Sequence, residues 1–176
     1  AADAITQSDD NIAIGYQALT TSAHVSAARN IAIGSYALEL LNSFGTDNIA
    51  IGFEALETAN HADVDKNIAI GSNVLTAVNH ADASKTTAVG YQALKALTSG
   101  ISNVAVGYGA QALITIGDYN TAIGTNALAV HTTGLRNTVV GYAAMGDTDA
   151  ANALDSDDNT FMGYGAGGGI WAAAKS

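Results

Sequence analysis

The chain has 176 residues, of which 48% are hydrophobic and only 12% charged, and its formal net charge is −10. This composition excludes a disordered segment, which would be polar and highly charged. The scarcity of Lys and Arg, six in all, argues against binding to nucleic acid or anionic lipid, which both need a basic surface. Cysteine is absent, which excludes disulfides and thiolate metal sites. No apolar run approaches the roughly 20 residues that span a bilayer, so we expect no membrane insertion.

One phrase recurs nine times, and its first copy reads Asn-Ile-Ala-Ile-Gly-Tyr-Gln-Ala-Leu over residues 11–19. A repeat of this length is typical of a solenoid, in which each copy forms one coil and stacks on the next. We therefore predict a β-rich solenoid of nine coils over residues 11–166, with residues 1–10 as a lead-in or cap and residues 167–176 as a cap or assembly tail. The glycines that close the strand of each copy are 17 to 22 residues apart: Gly15, Gly34, Gly52, Gly71, Gly90, Gly107, Gly124, Gly141 and Gly163.

Each copy opens on a short strand whose side chains alternate between large and small. In the first coil Ile12 and Ile14 point one way, and Ala13 and Gly15 point the other. Because neither face is polar, we predict a strand that is buried on both faces. The small Ala/Gly face is expected to meet either the opposite wall of the coil or another subunit, which makes it the predicted surface for self-association.

The Asn that opens most strands has two interpretations. Stacked Asn side chains hydrogen-bond to one another and to the adjacent turn, as in cross-β ladders. Alternatively, Asn is a turn residue that duplication has repeated.

The stretch after each glycine is compatible with a second strand or with one to two helical turns. Ala93, Leu94 and Leu97 have helical i, i+3 and i, i+4 spacing, and Gly100 follows as a candidate cap. We expect short helical turns in at least some coils. The connectors that complete each coil are polar and vary in length, which places them in exposed loops.

Two groups of residues are candidate metal ligands. His24, His61 and His80 each lie 13 residues after the start of a repeat, so stacking would place His61 above His80, with Asp63 and Asp82 beside them. Imidazole beside carboxylate binds a transition metal or makes the contact between coils sensitive to pH. The alternative is that polar loops were duplicated and the array has no function.

The acidic loop before the last coil offers oxygen ligands for Ca²⁺ but lacks EF-hand spacing, and a solvated loop is the alternative. Its candidate ligands are Asp147, Asp149, Asp155 and Asp157.

The phrases Asn-Thr-Ala-Ile-Gly-X-X-Ala-Leu at 120–128 and Asn-Thr-Val-Val-Gly-Tyr-Ala-Ala-Met at 137–145 carry a family resemblance. They resemble the head repeats of trimeric autotransporter adhesins and, more closely, related repeats of phage tail-fibre and chaperone-tailed surface proteins. The resemblance covers residues 11–166. It implies a left-handed parallel β-roll that associates as a homotrimer and projects from a cell or virion.

Three functions follow from these patterns. We expect a non-enzymatic extracellular rod, an adhesin head or tail-fibre-like component, that binds itself as a homotrimer or an end-to-end filament. The alternative is a solenoid that binds a glycan or another host-surface or matrix ligand. A hexapeptide-type acyltransferase is third, because Ile-Gly-X-X-Ala-X resembles one hexapeptide of that fold, although only one fits per coil. We expect no cofactor other than the candidate Ca²⁺, and no Gly-X-Ser-X-Gly or phosphate loop occurs.

Overall fold

The computed structural model describes residues 10–20, 27–41, 45–59, 61, 64–80, 82–146 and 157–168. Nine three-residue strands form one parallel sheet, and each strand pairs with the next along the chain. The predicted β-solenoid is confirmed. The described residues contain no helix, and so none that is long and apolar enough to cross a membrane. The strands are β1 Ile12–Ile14, β2 Ile31–Ile33, β3 Ile49–Ile51, β4 Ile68–Ile70, β5 Thr87–Val89, β6 Val104–Val106, β7 Thr121–Ile123, β8 Thr138–Val140 and β9 Thr160–Met162.

Successive strands stack without any shift in register. Ile12 pairs with Ile31, and Thr138 pairs with Thr160 in the same way at the last step, although the connectors differ in length. Each position of the repeated phrase therefore forms a column that runs from coil to coil.

In the turn after each strand every second residue has a positive φ. A helix needs the same right-handed conformation at each residue, so the expected helical turns are wrong. In the second coil Gly34 has φ 133°, Tyr36 has φ 62° and Leu38 has φ 48°, and the same three positions have positive φ in the other coils. Their N–H groups donate between coils, as when Leu38 N–H donates to Ala55 O at 3.0 Å. A helix would instead use these groups within the turn, so the i, i+4 spacing of apolar residues marks a second wall of the core.

The core lies inside the coil, between the middle residue of each strand and the Ala-Leu pair of the turn. Ala32, Ala37 and Leu38 are fully buried, and their columns are buried in most other coils. The large strand residues point outward instead, and Ile14 is 59% exposed. The expectation of a strand buried on both faces is therefore wrong for a single chain. Self-association through the small-residue face is also wrong, because that face lines the interior of the coil.

The glycine that ends each strand is required by contact between coils. Gly71 has φ +132°, and a Cβ atom built there would lie 2.7 Å from the carbonyl oxygen of Gly90 in the next coil. Real Cβ atoms do not approach backbone oxygen this closely. The small residue thus allows two stacked coils to approach each other.

The Asn column forms a buried ladder of side-chain amides, which confirms the first interpretation of the repeated Asn. The Oδ1 atom of Asn120 accepts a hydrogen bond from Asn137 N–H at 3.0 Å. Its Nδ2 donates to Gly134 O at 2.7 Å and to Asn103 Oδ1 at 3.2 Å. One side chain therefore clamps two points of the next coil and also contacts the preceding one. Asn30, Asn48, Asn67, Asn103, Asn120 and Asn137 are all fully or almost fully buried.

The ladder is weakest at the fifth coil, where Thr86 replaces Asn. Its hydroxyl donates to Ser84 O within the same coil at 3.4 Å and accepts from Asn103 N–H, also at 3.4 Å. A hydroxyl has one hydrogen to donate, so it cannot reproduce the two donor bonds of an amide. The step from the fifth to the sixth coil therefore has a weaker side-chain clamp than its neighbours.

Replacing Thr86 with Asn should stabilise the fold. The restored amide bonds are expected to raise the free energy of unfolding by about 1 kcal/mol, the net worth of a typical intramolecular hydrogen bond. The matched reverse change, Asn120→Thr, should lower it by about 1–3 kcal/mol because it leaves buried groups unpaired. Urea denaturation at fixed protein concentration measures both. Thr86→Asn at or below wild-type stability would contradict the role of the ladder.

Gly71→Ala should destabilise the protein more than Gly163→Ala. Both residues have a positive φ, +132° and +125°, so both variants carry backbone strain of about 1–3 kcal/mol. Within the described part of the chain, only at position 71 does the new methyl group meet the backbone of a following coil, which should add about 1–3 kcal/mol. The difference between the melting temperatures of the two variants measures the cost of contact with the following coil. Equal melting temperatures would show that this contact costs nothing.

Candidate functional site

The outward face of the sheet is an uncharged surface that the fold leaves exposed along all nine strands. It consists of the first and third residue of every strand, and we call it the outward sheet face. Apart from four threonines these side chains are aliphatic, and none carries a charge. Each is exposed or half-buried in the single chain. The face comprises Ile12, Ile14, Ile31, Ile33, Ile49, Ile51, Ile68, Ile70, Thr87, Val89, Val104, Val106, Thr121, Ile123, Thr138, Val140, Thr160 and Met162.

The position after the glycine that ends each strand borders this face and is aromatic in six of the nine coils, with Ser35, Ser72 and Thr125 in the other three. We call the six rings the aromatic column. Tyr91 and Tyr108 stack with ring centroids 5.3 Å apart, and Tyr142 and Tyr164 do so at 5.4 Å. The two rings of each pair belong to consecutive coils, so the spacing between coils sets the distance between the rings. Together the aromatic column and the outward sheet face make one continuous uncharged surface. The exposed members of the aromatic column are Tyr16, Phe53, Tyr91, Tyr108, Tyr142 and Tyr164.

Charged residues lie at the turns that enter several of the strands. Arg29 donates two hydrogen bonds to Asp47, at 2.6 and 2.9 Å, and these bonds hold the pKa of Asp47 below its usual value. Arg136 pairs with Asp158 in the same way, at 2.5 and 2.8 Å, and lowers the pKa of that carboxyl. The pairs link neighbouring coils beside the Asn ladder and leave the outward sheet face uncharged.

The structure brings His61 and His80 together as their spacing predicts. Their rings stack with centroids 6.0 Å apart and planes inclined by 15°. His80 Nδ1 lies 3.8 Å from Asp82 Oδ2, while Asp63 and His24 lie outside the described residues. No group of three or more potential ligands that would hold a metal occurs in the described ranges. The juxtaposition is confirmed, and metal binding by the pair stays a prediction.

The candidate Ca²⁺ ligands fall mostly outside the described part of the chain. Asp147, Asp149 and Asp155 lie there, whereas Asp157 is described. Asp157 Oδ1 accepts a hydrogen bond from Leu135 N–H at 2.8 Å, and its Oδ2 is 4.0 Å from Arg136. Asp157 therefore secures the entry turn of the preceding coil, and Ca²⁺ binding by the loop stays a prediction.

Two polar side chains occupy core columns, and the sequence pattern did not reveal them. His131 is fully buried in the column that elsewhere holds residues such as Leu97 and Ile114. Gln111 replaces the usual leucine in the sixth coil; its Nε2 donates to Val104 O at 3.1 Å, and its buried Oε1 has no hydrogen-bond partner. His131 lies seven residues after Gly124, as Ile114 does after Gly107. Counting from the preceding glycine would therefore have assigned His131 to this core column.

Comparisons with protein-family models, with curated proteins and with solved structures gave no match. The case for a function therefore depends on the chemistry of the described residues, above all on the outward sheet face. Sequence reasoning misjudged that face as buried, although the size alternation in each strand had separated its residues correctly from the small ones.

The stability of the protein should fall as the pH drops from about 7.5 to 5, and His131 should contribute to this fall. Burial lowers the pKa of His131, so its neutral form is favoured in the folded state. Below the unfolded-state value of about 6.5, the unfolded chain takes up the proton first, and stability is lost until the pH passes the folded-state pKa. Above that range both states are neutral, and the residue adds no pH dependence.

Urea unfolding at both pH values tests this expectation. His131→Leu should show a smaller loss of stability on acidification than the wild type, because it removes the buried group. His80→Gln is the matched control, since it replaces an exposed histidine. Equal losses in the wild type and His131→Leu would contradict the assignment.

Proposed function

We propose that the protein is a non-enzymatic extracellular rod, an adhesin head or a tail-fibre-like component at a cell or virion surface. Its copies associate side by side as a homotrimer through the outward sheet face. The observation that carries this proposal is the uncharged, largely aliphatic surface that extends over all nine strands. The resemblance of the repeat to adhesin and tail-fibre repeats supports the extracellular setting and the threefold symmetry.

The physical argument starts from the size of this surface. Monomeric proteins rarely expose contiguous apolar patches of more than a few hundred Å². A flat sheet built from registered columns offers the same side chains at every coil, so an identical chain laid alongside meets a matching surface along its length. Closed cyclic association would cover the face on every copy.

Electrostatics favour the same arrangement. Copies of a chain with net charge −10 repel one another, so their contact must keep carboxylates apart. The described charges lie outside the outward sheet face, on entry turns, on connectors and in the stretch after the strand, as Glu54 does. Pairs such as Arg29–Asp47 and Arg136–Asp158 neutralise part of them. The outward sheet face itself contributes no charge, which allows three acidic chains to meet there without opposing like charges.

The exposed aromatic column favours a second candidate function, binding of a neutral glycan or another surface ligand. Stacked pairs such as Tyr91 and Tyr108 present exposed ring edges and hydroxyl groups side by side. In this alternative the protein works as a single chain, and the uncharged surface stays open for the ligand.

Ile70→Lys should dissociate the homotrimer. Ile70 lies at the centre of the outward sheet face and is 36% exposed, so lysine at this position reaches solvent in the single chain but is buried in the proposed contact. Three lysines near one axis would repel one another and lose hydration. Sedimentation equilibrium at micromolar concentration should give a trimer for the wild type and a single-chain mass for the variant.

Leu113→Lys is the matched control, because Leu113 is apolar and 49% exposed but lies outside the outward sheet face. It should leave the trimer intact. A wild-type mass equal to one chain would refute the homotrimer and favour the ligand-binding alternative. Trimers of unchanged stability in Ile70→Lys would show that another surface joins the copies.

A further inference from the structure

We infer that the threonines of the outward sheet face fix the register and direction in which copies of the chain associate, whereas its isoleucines supply most of the affinity. This inference rests on the proposed homotrimer and assigns separate roles to two parts of its contact surface. The occupant of the face is a second copy of this chain. The division between the two parts falls between β4 and β5.

The first part of the face, strands β1–β4, repeats the same outward side chains in every coil. All four strands read Ile-Ala-Ile, and pairing of Ile31 with Ile49 and of Ile33 with Ile51 arranges the isoleucines in two uninterrupted columns. Burial of these large aliphatic side chains makes this part the main source of affinity. Identical coils do not distinguish one alignment from another, so on this part alone a shifted or reversed copy would also meet isoleucine.

The second part, strands β5–β9, has threonine at the first outward position of every coil but the sixth. The register joins these positions in one column, in which Val104 pairs with Thr87 on one side and with Thr121 on the other. Thr121 pairs in turn with Thr138. A threonine side chain offers less apolar area than isoleucine and adds a hydroxyl group. This part therefore gives less affinity per coil and places polar groups at fixed heights along the face.

The hydroxyl groups of these threonines are not used within the chain. Thr98 and Thr115, which lie in connectors, each donate a hydrogen bond to a backbone oxygen of the next coil at 2.9 Å. By contrast, no hydrogen bond among the described residues involves the hydroxyl group of Thr87, Thr121 or Thr138. A partner copy that covers these groups removes them from water, so the contact must offer them new donors and acceptors.

Threonines of the same coil in three copies can satisfy one another. A hydroxyl group has one donor and two acceptor positions, so three of them around a threefold axis can each donate to the next and accept from the one before. This pattern needs equivalent coils at the same height. Reversing one copy would instead set Thr138 against Ile31 and bury a hydroxyl group without a partner, which is unfavourable.

Polar groups within an apolar contact set alignment by penalising the alternatives. In coiled coils a single polar residue in the apolar seam specifies register and the number of chains, at a cost in stability. The outward threonines have the same setting, because the third outward position of their strands holds aliphatic residues such as Val89, Val106 and Val140. They therefore select the alignment that the isoleucine columns leave open.

The alignment of copies is measured through one spin label per chain. The chain has no cysteine, so Ser35→Cys, beside the outward sheet face in the second coil, gives a single attachment point. Copies in register bring these labels together and should give one short, narrow distance by electron–electron double resonance. A reversed copy carries its label at the height of the eighth coil, about 29 Å further along the rod.

Removing the three hydroxyl groups should abolish the alignment. In the Ser35→Cys background, the triple variant Thr87→Val, Thr121→Val and Thr138→Val keeps a β-branched side chain at each site. Its distance distribution should broaden and include the long distance, while the concentration at which half of the chains are trimeric stays at or below the wild-type value. The corresponding triple change to serine keeps the hydroxyl groups and should retain the narrow distance.

The matched control changes the isoleucine part without touching a polar atom. The triple variant Ile31→Val, Ile49→Val and Ile68→Val removes one methylene group at each of three first positions. The concentration at which half of the chains are trimeric should rise about tenfold or more, and the narrow distance should remain. Circular dichroism melting checks that each variant folds. If the triple threonine-to-valine variant does not, Thr121→Val alone should broaden the distribution in the same direction.

Two results would overturn the inference and leave the homotrimer in place. A trimeric threonine-to-valine variant that keeps the narrow distance would show that the hydroxyl groups do not set the register. Equal broadening by the threonine-to-valine and isoleucine-to-valine variants would show that any change in the face disturbs the alignment. A single-chain mass without dipolar signal in Ser35→Cys protein would instead refute the homotrimer itself, and the inference with it.

Discussion

The spacing between stacked coils, about 4.8 Å, is the constraint on which the rest of the structure depends. Every phrase must place its backbone groups against those of its neighbours at this distance, from the Asn through the strand to the leucine of the turn. A glycine is needed where a carbonyl oxygen of the next coil comes closest, as at Gly71 and Gly90. The amide ladder has the same origin, because only at this spacing does one Asn side chain reach the backbone of the next.

The turn shows what the constraint costs. Left-handed conformations are unfavourable by roughly 1–2 kcal/mol for residues with a Cβ atom, yet Tyr36 and Leu38 adopt them, as do their counterparts in the other coils. Each such residue obtains in return a hydrogen bond to an adjoining coil and, for Leu38, complete burial. An isolated phrase would lack both compensations. The coils therefore stabilise one another, and a single coil has no reason to hold this conformation.

The same geometry assigns the surfaces. With backbone bonds directed along the stack, side chains of a strand can only point into the coil or out of it. The interior is narrow and is closed by alanine opposite leucine, so the larger strand residues are left outside and form the outward sheet face. Function, on the present proposal, belongs to that face, while the connectors differ in length without disturbing it.

The sequence by itself determined the solenoid, its nine stacked strands and the stacking of His61 on His80, because a repeat converts sequence position directly into a column. The Asn ladder was one of two interpretations that the sequence left open. Which way each column points was decided only by the tertiary structure. The alternation in Asn11–Gly15 separates large from small residues but is the same whichever face is inside. The turn was misjudged for a related reason. Ala93, Leu94 and Leu97 have helical spacing, yet Leu94 N–H donates to Ala110 O of the next coil and not to a residue of its own turn. No local pattern records a partner that distant in the sequence.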